Sequence, residues 1–295
     1  MVLSKRLSNH WLHAARIISL LTVASVLVAC SATRYAYNQA PPLLNWWIDG
    51  WFDFSNEQEA KVKDSLVQLH NWHRTQMLPQ WGTMLQQLAD DMPNNMTPER
   101  ICYWGDQMQQ QIDKLAQQAI VYATPIVPTM GPRQWKQLEK KIRERNEDWQ
   151  KEWMLPTLQA QLDHRYTTLF EQAEKWYGPL DKTQQQLMRS SLEQSVWNAQ
   201  QQLDQVMQRQ RDLQKTLRSL QGATPQASQQ ALQDLWARSQ QPMNDNDRIY
   251  TEKLRQEMCQ TIAKFHNSTN AEQRRFAQKV LLGYLEDVQA LVSQR

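Results

Sequence analysis

The chain has 295 residues, with 33 lysines and arginines against 30 aspartates and glutamates, a formal net charge of +3. Its seven glycines are scattered singly, which excludes a Gly-rich phosphate loop, and so small a charge excess gives no ground for a nucleic-acid partner. The length suits one large domain or two small ones.

The first element in chain order reads as an export signal. Lys5, Arg6, His10, His13 and Arg16 precede an uncharged stretch from Ile17 to Ala29, and no acidic residue occurs before Cys30. That stretch is shorter than the roughly 20 residues a helix needs to span a bilayer. A basic segment followed by a short apolar one is a signal peptide, here residues 1–29. Removing it takes away Lys5, Arg6 and Arg16 and leaves the remainder formally neutral.

Leu27-Val28-Ala29-Cys30 resembles a bacterial lipobox. The resemblance implies cleavage before Cys30, acylation of its sulfur and of the new amine, and so a firm membrane anchor. Ser31, in place of an aspartate, is similar to the signal for sorting to the outer membrane, facing the periplasm. Residues 30–42 then form the lipidated cysteine and a short tether, and residues 43–295 a helical periplasmic domain.

Just past the tether stand Trp46, Trp47, Trp51, Phe52 and Phe54. Tryptophan is favoured at membrane interfaces, so Trp46, Trp47, Trp51 and Phe54 are candidates for docking on the bilayer. The alternative is that the stripe packs as core.

Helix openings follow one another down the chain. Ser55-Asn56-Glu57-Gln58, Asp181-Lys182-Thr183-Gln184 and Asn270-Ala271-Glu272-Gln273 each place Gln three residues after a capping side chain. Thr97-Pro98 and Thr224-Pro225 add proline at the first helical position. These openings predict helices near 56–92, 98–123, 182–221, 225–240 and 271–293, and periodicity adds 132–177 and 246–265. The fold class is therefore all-α: an elongated multi-helix bundle with long, partly kinked helices. The 182–221 segment carries a heptad seam from Leu192 through Leu203 and Leu213 to Leu220, as in a coiled coil.

Within the first predicted helix, His70, His73 and Met77 fall on one side, a set that suits copper(I) as well as a packed histidine pair. "WHRTQMLP" at 72–79 recurs as "WQKEWMLP" at 149–156, suggesting an internal repeat over 55–92 and 132–170. Proline in each copy predicts a kink or short break. Cys102 and Cys259 either pair as a disulfide in an oxidising compartment or remain two buried thiols on helices that never meet. Arg209, Arg211, Lys215 and Arg218 flank the heptad seam, as a partner-binding face or a solvated one. Asp90-Asp91, Glu147-Asp148 and the other acidic residues sit in mixed-charge stretches, and no nucleophile elbow occurs, so no catalytic residue and no cofactor is assigned.

The order "CSATRYAYNQAPPLLNWWIDGWFDFSNEQ", "WHRTQMLP", "EKWYGPLDKTQ" and "NAEQRRF…LLGYLEDVQAL" resembles an all-helical family of Gram-negative lipoproteins of unknown function. The family implies no activity and no catalytic residues to carry over. The cap-x-x-Gln openings are more distantly similar to the Leu-Thr-x-x-Gln helix starts of small periplasmic stress chaperones, although the Leu-Thr half is missing here. The expected role is a membrane-anchored scaffold or adaptor for another envelope protein. The alternative is a chaperone-like binder of unfolded clients, ahead of a copper or zinc binder or an enzyme.

Overall fold

The computed structural model describes residues 33–294. Residues 33–38 are helical, and eleven α-helices follow: α1 (Ala40–Phe52), α2 (Asn56–Trp72), α3 (Leu78–Asp91), α4 (Pro98–Ala123), α5 (Pro132–Trp153), α6 (Leu158–Tyr177), α7 (Lys182–Glu193), α8 (Ala199–Ser219), α9 (Pro225–Ser239), α10 (Asp245–Ser268) and α11 (Ala271–Ser293). There is no strand among the described residues, so the chain is the all-α bundle that composition and caps predict.

The capping residues act where the sequence places them. Ser55, Thr97, Asp181, Thr224 and Asn270 each accept a hydrogen bond from a backbone N–H of the helix they open. Thr157, Asn198 and Asn244 do the same for α6, α8 and α10. Each such bond satisfies an N–H that the helix geometry leaves without an internal acceptor.

Both Met-Leu-Pro steps deform their helices, to different degrees. Between α2 and α3 the chain makes a π turn, His73–Met77, in which the Leu78 N–H reaches the carbonyl of His73. Pro79 has no N–H to give, and the wider turn accommodates it without ending the rod. At the second step the helix stops outright: α5 ends at Trp153, and Thr157 caps α6 afresh.

The predicted single helix over 182–221 is two helices. α7 ends at Glu193 and α8 begins at Ala199. The connecting backbone is claimed by α10: the Val196 N–H donates to the Glu257 carboxylate at 3.0 Å, and the Asn198 N–H to the Tyr250 hydroxyl at 3.0 Å. Asn198 then caps α8. The seam residues Ala199, Leu203, Leu217 and Leu220 are buried, and α8 packs on α5 and α9 of the same chain.

The core is divided. The largest cluster gathers Phe54, Val62, Leu66, Trp135, Leu138, Leu217 and Leu232 from α2, α5, α8, α9 and their connections. A second joins Ala89 and Met92 at the end of α3 to Ala277 and Leu281 of α11. A third packs Leu180, Met188 and Phe265, and Tyr177 borders both of the last two.

Two glutamine clasps join helix starts that lie far apart in the chain. Gln58 and Gln134, the third residues of α2 and α5, hydrogen-bond at 3.1 Å; Gln184 and Gln273, third in α7 and α11, do so at 2.8 Å. In every case the side-chain oxygen accepts the N–H of its own helix cap. The side-chain nitrogen crosses to a carbonyl just before the partner helix: Thr129, Asp53, Ser268 and Pro179 respectively. All four glutamines are buried.

Candidate functional site

α4, α8 and α9 come together incompletely. Alanines at 116, 119 and 123 recur along α4 at steps of three and four, so they share one face and leave room where larger side chains would meet α8. The result is a cleft of about 520 Å³ open to the surface, with Ile120, Val206, Leu213, Leu235 and Trp236 among its walls. Ala119, Ala123, Leu213 and Leu232 also line a second space, of about 310 Å³, beneath α1 and α2.

One charged side chain lines the cleft, that of Arg209. Its Nε is buried and makes no hydrogen bond, and no acidic group stands within ion-pair distance of Arg209 among the described residues. Gln210 beside it is occupied, exchanging two hydrogen bonds of 2.9 Å with Asn146 of α5. Arg218, by contrast, is paired with Glu139, while Arg211 and Lys215 point into solvent. The basic run therefore resolves into a solvated face plus one arginine turned to the cleft.

The aromatic stripe beyond the tether also divides. Phe54 is buried in the large cluster and Trp51 packs against it. Trp46 and Trp47 are 76% and 56% exposed, and Leu43 and Leu44 beside them are exposed too. The preceding segment, expected as part of the tether, is pinned to the body. Arg34 Nε donates to the buried Asp287 carboxylate at 2.8 Å, and Asn38 reaches both Gln294 and Arg74. Cys30 lies outside the described residues.

His70 and His73 are engaged with Tyr37. The Tyr37 carbonyl receives the His70 Nε2–H at 3.0 Å, and the Tyr37 hydroxyl lies 2.9 Å from His73 Nδ1. Burial, first of all, holds both imidazoles below their ordinary pKa, and so favours the neutral rings. Met77 is buried in the core. Among the described residues no group of three or more His, Cys, Asp or Glu is placed to hold a metal.

Cys102 of α4 and Cys259 of α10 form a disulfide with their Cα atoms 5.5 Å apart, so the reading of two helices that never meet is set aside. Arg255 and Asp106 pair one turn away on the same two helices.

The cleft escapes a reading of the sequence because its signal is negative. Three alanines on α4 look like helix filler until α8 is set opposite them, and Arg209 looks like one more member of a basic run. Among curated proteins and solved structures nothing matches the chain. A family model does: it covers residues 50–248, the whole span of the cleft included, and by it the chain belongs to DUF6279, a family of unknown function.

Proposed function

We propose that the protein is a lipid-anchored adaptor of the bacterial envelope. In this reading it is exported, acylated at Cys30 and held to the outer membrane facing the periplasm, and it binds another envelope protein through its helical surface. The observation that carries it is the outward apolar face of α1, Leu43, Trp46 and Trp47, immediately after a segment fixed to the body by Arg34 and Asn38. Exposed tryptophans beside an acyl anchor favour the bilayer interface. With α1 lying on the membrane, the exposed side of α8, with Arg211 and Lys215, is left for a protein partner.

The open apolar cleft supports a second reading, a chaperone-like binder that shelters apolar segments of unfolded clients. Crosslinking in living cells, with adducts identified by mass spectrometry, separates the two. The adaptor reading requires one dominant partner, lost when Arg211 and Lys215 are changed to glutamate. A broad set of unrelated clients that grows under envelope stress would replace it with the chaperone.

A further inference from the structure

An apolar cleft of this size lies within the range of small-ligand sites, about 300–1,000 Å³. What sets it apart is Arg209. Its Nε–H is buried against apolar walls without an acceptor, which is costly unless a ligand supplies one, and no carboxylate of the chain stands within ion-pair distance among the described residues. The remaining walls offer little else to a polar ligand: Gln210 is already bonded to Asn146, and Ser239 bonds a backbone carbonyl of α9. One cation at the edge of an apolar space, with no second charged side chain lining it and the nearby Asp212 already paired with Arg238 of α9, matches a single negative charge on a single chain.

We propose that the cleft between α4, α8 and α9 binds a long-chain fatty acid, its acyl chain along Ala116, Ala119 and Leu213 toward the space beneath α1, its carboxylate on Arg209. A carboxylate takes the guanidinium in a two-pronged, charge-assisted pair. A diacyl phospholipid fits less well, having two chains and a bulky headgroup for spaces of about 520 and 310 Å³. The site is separate from the α1 face and does not depend on the adaptor reading.

The test uses the purified full chain with vesicles of zwitterionic phosphatidylcholine, labelled with a palmitate analogue carrying a photoactivatable diazirine on its chain. Label is expected on peptides of α4, α8 and α9, saturable and displaced by free palmitate. Hexadecanol, of the same length without the charge, should displace it about tenfold less well. Arg209→Gln should abolish that preference while leaving the weaker alcohol binding intact, and Ala119→Trp should block both ligands; far-ultraviolet circular dichroism verifies that each variant stays folded. Equal displacement by acid and alcohol, or label confined to α1, overturns the proposal. Displacement by lysophosphatidylcholine as strong as by palmitate also overturns it, because the headgroup charge would then be immaterial.

Discussion

Gln184 is 1% exposed, yet every polar atom of its amide is engaged: the oxygen by the Asp181 N–H and the Gln273 amide, the nitrogen by Gln273 and the Ser268 carbonyl. The cap-x-x-Gln spacing was legible, because helix physics places that glutamine over its own cap. Its crossing to a second helix was not, since the partner lies 89 residues away and no local pattern encodes it. Gln184→Ala strands a buried carbonyl and half of the Gln273 amide, at a cost of about 2–3 kcal/mol. The expected outcome is a melting temperature lower by several degrees, with Gln186→Ala, at an exposed neighbouring position, as the mild control. His266, also buried, shows a different dependence. The Asn94 carbonyl can only accept, so His266 Nε2 carries the proton, and Nδ1 takes the hydroxyl proton of Tyr177 at 2.9 Å. Burial pushes the His266 pKa below 6.5 and the Tyr177 phenol up to about 12. The unfolded chain therefore protonates this histidine first. The neutral ring's contribution is complete above pH 6.5 and is lost as the pH falls from there toward the folded value. Melting temperatures measured from pH 7.5 to 5 should fall, and the imidazole of His266 followed by NMR should resist protonation at pH 6.5. A His266 that titrates in the ordinary histidine range would refute this.

At the scale of the helix, what sequence shows best is where one begins. Prolines and capping residues announce starts by local chemistry, so α4, α9 and α11 open where predicted. The interruption between α7 and α8 has no such herald. Leu192, Val196 and Ala199 keep the heptad spacing straight through it, and the groups that open the backbone, Glu257 and Tyr250, come from α10. Tyr250→Phe removes the acceptor for the Asn198 N–H and the partner of the Gln202 amide. It should cost about 1–3 kcal/mol, and hydrogen exchange should speed up locally at residues 196–202. The α4–α10 pairing is held by a covalent bond that closes a loop of 157 residues. In the chain-entropy account such a crosslink contributes about 5 kcal/mol. Reduction should therefore shift the urea midpoint markedly downward in the wild type and leave a Cys102→Ser/Cys259→Ser variant unmoved.

For the whole molecule, all-α architecture follows from scattered glycines, abundant glutamine and repeated caps, each a local property. The way the helices close on one another is not local. Gly82 of α3 lies against Leu285 and Val288 of α11, and Ala89, with no exposed surface, meets Ala277 and Leu281 from the far end of the sequence. The candidate cleft is likewise a product of three helices from distant stretches, which explains why Arg209 and the seam residue Leu213 stood out beforehand while the space they line did not. The closure of α3 by α11 also has a consequence in time. A chain made from its N-terminus has synthesised α3 long before α11 exists, so Leu85, Ala89 and Met92 wait uncovered, Cys102 waits for Cys259, and Gln184 waits for Gln273. Contacts this far apart in sequence form late and slowly. Arrested chains ending before residue 270 should be cut by protease within α3, whereas the finished chain should resist, and any helper that attends this protein's birth would find its task in that interval.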